Sequence, residues 1–320
     1  MHLIRNTKVD DLKKIQDLLV DAFSHGRKLD GYVVTHVPRC RIDFLRMYLD
    51  ECPEGAFVAE KDEEIIGAIF SHMRGELAWI GPLAVATRMQ RQGMGKELTL
   101  HALRLLKKSG CKTIGLETNP RSFVNLGFYS KMDFRIQSLT FDLISELEMN
   151  SHSANSSCQL IKFSECLDKD EEKEFFANTR TVFPGNLLYI DYQSAILTTD
   201  KNHYGDSILF QYNQEPAAFA ILHTKAPSFE EHEKILRVVS LVFKKKVFPE
   251  LFSLVLNDLH CYANEKGHNR IMLRMPANYY QILQYLLEKK FVIINSDIRL
   301  TLNHFDRWFE PDTVILERWL

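Results

Sequence analysis

The sequence predicts a mixed α/β protein of the α+β type, made of two consecutive domains of similar size. Its length of 320 residues is about twice the ~150 residues of an average domain. Segments with helical and with strand periodicity alternate along the chain, which is typical of sheets flanked by helices. The segment 150–159 has no large apolar side chain and is rich in serine and asparagine, as solvated linkers are. We therefore expect domains at 1–149 and 160–320, joined by a linker at 150–159.

Composition and charge exclude several classes of protein. The 40 basic and 42 acidic residues give a formal net charge of -2, which argues against a chain built to coat nucleic acid. The N-terminal residues lack the apolar core of a signal peptide, and no apolar run approaches the ~18 residues of a membrane span. The six cysteines are scattered and show no spacing typical of a zinc site. We expect a cytoplasmic protein with reduced thiols, no metal, and no nucleic-acid or membrane partner.

The first domain is predicted to have the element order βααβββαβαβ. Helices are assigned where apolar residues recur at spacings of three and four, as in Leu12, Ile15 and Leu19 after Asp10. Strands are assigned to apolar runs separated by polar turns such as 61–64 and 74–76. The predicted strands are 3–5, 56–60, 65–72, 77–85, 113–117 and 134–143, and the predicted helices are 12–23, 41–49, 95–108 and 122–131.

The second domain is predicted to repeat this architecture with little sequence identity to the first. A strand and a helix precede three strands, and a helix, a strand, a helix and a strand follow. The predicted strands are 160–163, 207–212, 217–223, 235–243, 270–274 and 291–302, and the predicted helices are 170–181, 249–266 and 279–289. In each half we expect a mixed, mostly antiparallel sheet flanked by helices.

The segment 82–96 of the first domain carries the features of an anion site. Gly93 and Gly95 stand in a loop that runs from a strand into a helix, where free backbone N–H groups and the helix dipole favour negative charge. Arg88, Arg91 and Lys96 add positive side chains. The pattern therefore favours an anion of the size of a pyrophosphate, although a glycine turn that only caps the helix is the alternative.

The spacing excludes two familiar nucleotide sites. A phosphate loop of the form GxxxxGK[ST] is ruled out because Gln90 stands at its first glycine and Glu97 follows Lys96. A dinucleotide fingerprint is ruled out because Leu98 stands where a third small residue is needed.

The string RQGMGK at 91–96, after strand LAWIGPLAV and before an amphipathic helix, resembles motif A of the GNAT superfamily of acyl-CoA N-acyltransferases. The string NLGFYSKMDF at 125–134 resembles the family's tyrosine motif, with Tyr129 as the tyrosine and Phe134 as the phenylalanine. Asp133 replaces the glycine that usually precedes this phenylalanine. The resemblance covers roughly residues 1 to 145 and fits the predicted element order.

The resemblance implies two GNAT-like domains and a site for acetyl-CoA, or another acyl-CoA, as co-substrate in the first. Family members bind the cofactor where two neighbouring strands splay apart. By position, the backbone of Leu83, Ala84 and Val85 is expected to pair with the pantetheine arm. The pyrophosphate is expected to lie in the loop formed by Arg91, Gln92, Gly93, Met94, Gly95 and Lys96. Asn125, on the helix that carries Tyr129, is a further expected cofactor contact.

The resemblance also implies an N-acetyltransferase, in which a primary amine attacks the thioester carbonyl directly and a tyrosine protonates the departing thiolate. Tyr129 is the expected acid, since a phenol of pKa ~10 is neutral at pH 7. The alternative is a core aromatic beside Phe128. Glu76 is the expected base, and Glu117 is a further carboxylate; either is equally well a surface residue. Trp79 stands where some relatives carry a basic glutamate, which favours a water-relayed base or one from another segment.

The second domain resembles the same fold without its cofactor loop. Residues 244–250 contain three lysines but no glycine, which favours a solvated charge cluster over an anion site. Leu286 stands where the first domain has Tyr129, and Tyr285 is one position out of register. We therefore expect a degenerate copy that shapes the acceptor cleft or an interface.

Two functions from different classes remain open from the sequence. The first is the N-acyltransferase, acting on a small-molecule or peptide amine as a monomer or homodimer. The second is a catalytically silent acyl-CoA-binding sensor or interaction module. The acceptor amine is not predicted, because no motif marks the segment 24–38 in which this fold sets acceptor specificity.

Overall fold

The computed structural model describes residues 2–146, 158–183, 189–228, 234–245, 248–302 and 313–319. The first half has the predicted order, with every boundary within a few residues of the prediction except the end of the first helix, which runs six residues further. Its elements are β1 (Leu3–Asn6), α1 (Leu12–Leu29), α2 (Ile42–Glu51), β2 (Phe57–Lys61), β3 (Glu64–Arg74), β4 (Leu77–Val85), α3 (Met94–Lys108), β5 (Thr113–Thr118), α4 (Phe123–Ser130) and β6 (Phe134–Glu146). Most of the predicted linker lies outside the described residues.

The second half contains the predicted elements and two more. Its elements are β7 (Cys158–Lys162), α5 (Lys169–Arg180), α6 (Gln193–Lys201), β8 (Gly205–Tyr212), β9 (Glu215–His223), β10 (Ile235–Lys244), α7 (Glu250–Glu265), β11 (Arg270–Pro276), α8 (Tyr280–Glu288), β12 (Val292–Leu302) and β13 (Thr313–Glu317). The sequence did not predict α6, because its buried face includes two threonines and gives a weak apolar pattern. It also did not predict β13.

The strands of both halves form one sheet of thirteen strands. The order is β1-β2-β3-β4-β5-β12-β6-β11-β10-β9-β8-β7, with β13 paired to β10. Strands β6 and β12 are exchanged between the halves: β12 pairs with β5 of the first half, and β6 pairs with β11 of the second. The mixed, mostly antiparallel sheet flanked by helices is therefore confirmed, and the exchange joins what the sequence predicts as two sheets.

Two parallel strand pairs occupy corresponding positions in the two halves. In the first, β4 and β5 pair only from Leu77 to Trp79, although β4 continues to Val85. In the second, β10 and β11 pair from Ile235 to Val238. Beyond these short ladders the two strands of each pair diverge.

The apolar core continues from one half to the other. One cluster joins Leu77 and Trp79 of β4 to buried side chains of the second half, among them Phe219, Ile315 and Trp319. Separate clusters lie under α1 and α2, under α3, and under α7 and α8. Because the cluster between the halves is as buried as the others, the two halves pack as one body. None of the helices in the described part of the chain has the length and apolar character needed to cross a bilayer.

Candidate active site

The divergence of β4 from β5 opens a cleft in the first half. Leu83, Ala84 and Val85 pair with β3 on one side, and no described strand pairs with them on the β5 side. All three line a cavity of about 1060 Å³ that continues into the space between the two halves. Their backbone edge on the β5 side is therefore open to an extended ligand, and the pairing with a pantetheine arm stays a prediction.

The loop before α3 has the backbone conformation that its glycines suggested. Gly93 is the N-cap of α3 with φ of 89°, a left-handed conformation that favours glycine. A Cβ atom at Gly95 would meet only ordinary contacts, the nearest being Phe128 Cζ at 3.7 Å. Protein packing therefore does not require a glycine at Gly95, and the missing side chain leaves room for a ligand to approach the backbone closely.

The N-terminus of α3 presents positive potential to the cavity. Among the described residues, the N–H groups of Met94, Gly95 and Lys96 donate to no backbone carbonyl, as expected for a first helical turn. The exposed side chains of Arg91 and Lys96 have no acidic partner among the described residues. Both residues line the cavity. The loop can therefore hold an anion with N–H groups and two cations.

The side chains of two predicted cofactor residues, Gln92 and Met94, do not line the cavity. The Gln92 side chain donates to the carbonyl of Arg88 at 3.1 Å and is not part of the cavity wall. The Met94 side chain is buried in the core under α3, so only its N–H faces the loop. Asn125 lines the cavity, and its amide donates to Thr118 Oγ1 at 3.1 Å.

Tyr129 lies on α4 beside the cleft and lines the cavity. Its ring packs between Phe128 and Phe134, with centroid distances of 4.9 and 5.7 Å. Burial raises the pKa of its hydroxyl, so the phenol keeps its proton at neutral pH. The turn after α4 keeps its shape despite Asp133, which adopts the left-handed conformation that a glycine would take, with φ of 66°.

The structure corrects the prediction for Glu76. This residue lies in the turn before β4, at the end of the strand opposite the cleft, and it is not part of the cavity wall. Its carboxylate pairs with Lys112 at 2.6 Å and accepts from the N–H of Tyr189 at 3.3 Å. Because Pro82 is six positions beyond Glu76 along an extended strand, roughly 20 Å separate the two residues. Glu76 therefore does not take part in the site.

The inner part of the cavity is built by both halves of the chain. The first half contributes residues of α1, α2, β3 and β4, and the second contributes polar residues that the sequence did not single out. The polar residues from the second half include Thr198, His223, Arg237, Arg274, Asp297 and Arg318. They converge only in the folded chain, so no spacing in the sequence marks them.

A buried ion cluster lies on the α2 side of this inner cavity. Arg74 pairs with Glu51, and His72 lies between two acceptors, Glu51 Oε2 at 3.3 Å and the carbonyl of Gly81 at 2.9 Å. Burial raises the pKa of Glu51, but the opposing charges of Arg74 and His72 are larger together and hold it at about 2. Glu51 is therefore ionised and already neutralised by its partners.

A second ion cluster lies where the exchanged strands meet. Glu117 is fully buried and pairs with Arg274 at 2.5 Å and Arg299 at 2.7 Å. Arg274 also pairs with Asp142 at 2.7 Å and with Asp297 at 2.8 Å. Despite burial, the arginines hold the pKa of Glu117 below its ordinary value. The interpretation of Glu117 as a surface carboxylate is thus wrong.

A column of stacked rings forms one wall of the cavity. Trp79 stacks on His72 at a centroid distance of 5.2 Å and on Trp319 at 5.8 Å. The Arg299 guanidinium lies over the Trp319 ring, 3.9 Å from its centroid. A Cβ atom at Gly115 would overlap the Trp319 ring, so this glycine allows the end of the chain to reach the first half.

The corresponding cleft of the second half is filled by the chain itself. Beyond Val238, β13 pairs with β10 from Ser240 to Lys244, where the first half leaves its cleft open. Leu286 is fully buried at the position of Tyr129, and the Tyr285 ring packs on Phe248 and Phe252. Of the lysine cluster, Lys244 donates to the carbonyl of Pro216 at 2.8 Å and Lys246 lies outside the described residues.

Residues 12–134 match the model of the Acetyltransferase (GNAT) family. The first half therefore matches a GNAT domain over most of its length. This chain is 33% identical over 103 residues to the uncharacterized N-acetyltransferase YvbK of Bacillus subtilis, an alignment that covers 31% of this chain and 64% of that protein. It is 30% identical over 94 residues to N-alpha-acetyltransferase 30 of Schizosaccharomyces pombe, an alignment that covers 28% of this chain and 63% of that protein. The chain thus spans slightly less than two thirds of each of these relatives.

Solved structures share the architecture of the GNAT domain and of the half that follows it. A putative acetyltransferase from Pyrococcus horikoshii superposes with a TM-score of 0.64 at 17% identity, over 95% of this chain and 90% of that one. A tandem GNAT protein from the clavulanic acid biosynthesis pathway superposes with a TM-score of 0.61 at 10% identity, over 96% and 100%. At such identities the likeness establishes the fold, which is that of tandem GNAT proteins.

Among the residues that the structure describes, no three His, Cys, Asp or Glu side chains are grouped so that they could hold a metal ion.

Proposed function

We propose that this protein transfers an acetyl group, or another acyl group, from acyl-CoA to a primary amine at one site in its GNAT domain. The observation that carries the proposal is the open cleft between β4 and β5, which ends at the unpaired N–H groups of α3. The match of residues 12–134 to a family of acetyltransferases supports it. The cofactor is acetyl-CoA or a longer acyl-CoA.

The cofactor is expected to lie along the cleft with its pyrophosphate at α3. The N–H groups of 94–96 and the cations Arg91 and Lys96 suit the two phosphate charges. The amide groups of the pantetheine arm suit the free backbone edge of 83–85, since an extended chain can pair with an unpaired strand. Asn125 lines the same wall and is a further polar contact.

In the transfer step the amine nitrogen attacks the thioester carbonyl carbon. A carbon–nitrogen bond forms and the carbon–sulfur bond breaks, so the sulfur leaves as a thiolate. Tyr129 donates its phenolic proton to this sulfur, and the phenolate is reprotonated from solvent. The acceptor is an ammonium ion at neutral pH, so it first gives one proton to a base and becomes a neutral amine. After the attack its nitrogen gives a second proton to the base or to solvent, and the product is a neutral amide.

The base is supplied by a residue other than Glu76. The carboxylates that line the cavity are Asp30, Glu51, Glu117, Asp142 and Asp297. Glu51 and Glu117 each have cationic partners that hold the pKa below its ordinary value, which makes them poor bases. A base from the second half, or a water molecule relayed to it, fits the position of the cavity.

The second half is proposed to complete the acceptor cavity without binding a second cofactor. β13 occupies the edge of β10 that an acyl-CoA would need, and no tyrosine stands at Leu286. The polar side chains of the second half instead line the cavity into which the cleft of the first half opens.

Release of free thiol from acetyl-CoA tests the proposal directly. Purified full-length protein is incubated with acetyl-CoA and a panel of amines, amino acids, polyamines and aminoglycosides, and thiol is followed with a chromogenic disulfide. Amine-dependent release that requires Gly93 supports the transferase. Tight coenzyme A binding without thiol release in the presence of any of the amines would overturn the proposal and favour a silent acyl-CoA-binding module.

A further inference from the structure

We infer that the acceptor is a small amino carboxylic acid, whose carboxylate binds Arg318 and whose ammonium group binds Asp297. The inference rests on the proposed function and names the substrate class of the same site. Both residues come from the second half of the chain, Asp297 on β12 and Arg318 directly after β13. Both line the inner cavity.

Arg318 is the first observation. Its Nε atom is buried and has no hydrogen-bond partner among the described residues. Its backbone N–H donates to the carbonyl of Val239 at 3.1 Å, which fixes the residue at the cavity wall. No described carboxylate forms an ion pair with its guanidinium, whereas every other arginine at the two ion clusters has one. A buried arginine donor without a partner is costly, which points to a bound anion.

Asp297 is the second observation. Its only cationic partner among the described residues is Arg274, at 2.8 Å, and Arg274 also binds Asp142 and Glu117. One guanidinium therefore serves three carboxylates. Burial raises the pKa of Asp297, Arg274 lowers it only in part, and the nearby charges of Glu117 and Asp142 raise it further. A cation beside Asp297 would relieve both effects.

The charges of these two residues act on each other without contact. Arg318 opposes the rise in the pKa of Asp297 and helps to hold that of Asp142 low, so it lies within electrostatic range of both. No ion pair joins Arg318 to either carboxylate in the described structure. A cation and an anion thus lie apart in one cavity, and a molecule with one charge of each sign would complete both.

The walls of the cavity favour a small acceptor over a folded protein. The segment between α1 and α2 lines the cavity and is held at both ends. On one side the amide of Asn119 donates to the Tyr32 hydroxyl at 2.5 Å, and on the other Cys40 forms an antiparallel bridge with Ser228. A monoanion fits better than a phosphate dianion, because four carboxylates already line this part of the cavity.

Binding to the coenzyme A-loaded protein tests the inference without turnover. Calorimetry is carried out with the twenty proteinogenic amino acids and with short ω-amino acids. Each amino acid is compared with two analogues that lack its carboxylate, the carboxamide and the decarboxylated amine. We expect at least one amino acid to bind at least ~10-fold more tightly than both of its analogues, as charge-assisted hydrogen bonds imply. Equal binding of an amino acid and its decarboxylated amine would overturn the inference.

Two substitutions and a matched control locate the subsite. Arg318→Gln and Asp297→Asn should each weaken binding of that amino acid by ~10–100-fold and leave coenzyme A affinity unchanged. Arg318→Lys, which keeps the positive charge, should weaken amino-acid binding less than Arg318→Gln does. Arg104→Gln, at an exposed arginine of α3 outside the cavity, should change nothing. Unchanged amino-acid affinity in Arg318→Gln, with an unchanged melting temperature, would contradict the assignment.

The two proposals fail in different ways. Thiol release with amines that lack a carboxylate, insensitive to Arg318→Gln, would keep the transferase and remove the amino-acid subsite. Amino-acid binding that depends on Arg318, without thiol release from any acyl-CoA, would keep the subsite and remove the transferase.

Discussion

Tyr129 is the residue on which the proposed chemistry depends most. Its hydroxyl belongs to a ring held between two phenylalanines, and burial keeps it protonated. Tyr129→Phe removes the hydroxyl and keeps the ring packing. We expect kcat to fall by ~10²–10⁴, with kcat/KM falling equally, because a general acid acts only in the transition state. Steady-state rates with any accepted amine measure both quantities.

The control for Tyr129→Phe is Tyr285→Phe, at the nearest tyrosine in the second half's corresponding motif. Its ring contacts with Phe248 and Phe252 survive the change, so turnover should be unaffected. If Tyr129→Phe turned over like the wild type, while Tyr129→Ala lowered the melting temperature, Tyr129 would be a packing residue and another acid would be needed.

Gly93 tests the anion site at the start of α3. Gly93→Asp places a carboxylate among unpaired N–H groups that are proposed to bind pyrophosphate, so coenzyme A binding should be abolished. Arg91→Ala should weaken binding less, because the backbone donors remain. Isothermal titration calorimetry with coenzyme A measures all variants.

Gly110→Asp is a matched control for Gly93→Asp. Gly110 lies at the other end of α3, with φ of 84° against 89° for Gly93, and an added Cβ would meet open space at both positions. The backbone strain of the two substitutions is therefore similar, and only the location differs. Loss of coenzyme A binding in Gly110→Asp would show that strain in α3, and not the phosphate site, explains the effect.

At the scale of elements, β13 is the feature that makes the two halves different. All five of its residues are buried, and it pairs with the stretch of β10 that corresponds to the open edge of β4. We therefore expect one coenzyme A site per chain. Titration calorimetry should give a stoichiometry near one for the wild type and no residual site in Gly93→Asp. Two equal sites would show that β13 leaves its place to admit a cofactor.

At the scale of the whole molecule, buried ion pairs join the exchanged strands of the two halves. Burial raises the pKa of Asp142, but Arg318 and Arg274 together hold it at about 2 in the folded state, below the ~3.9 of an unfolded aspartate. Its contribution to stability is therefore complete above pH ~4 and is lost as the pH falls towards 2. The contribution is on the order of 2 kcal/mol, and about half of it is lost at pH 3.

Urea unfolding at pH 6 and pH 3 measures this linkage. Asp142→Asn should be less stable than the wild type at pH 6, because Arg274 loses a partner. Between pH 6 and pH 3 its free energy of unfolding should fall by ~1 kcal/mol less than that of the wild type. The control is Asp170→Asn on α5, where the carboxylate is exposed and pairs with an exposed lysine. An equal pH dependence in wild type and Asp142→Asn would contradict the role given to this aspartate.

The sequence by itself determined the elements of the first half and the part of the candidate site that lies there. Apolar periodicity and turn residues are local properties, so the order of the first half and all but one of its boundaries could be read from them to within a few residues. The loop with Gly93 and Gly95 is likewise local, because neighbouring backbone groups form the anion site. Tyr129 was found because its motif lies within ten residues of chain.

Only the tertiary structure decided how the halves join and where charges meet. The exchange of β6 and β12 depends on pairing between strands more than a hundred residues apart, which no local pattern encodes. Glu76 looked equivalent to other carboxylates in sequence, but the direction of β4 places it at the wrong end. Arg318 and Asp297 line the cavity because β13 and β12 fold back onto the first half. Long-range packing brings such groups together, and it leaves no spacing in the sequence by which to recognise them.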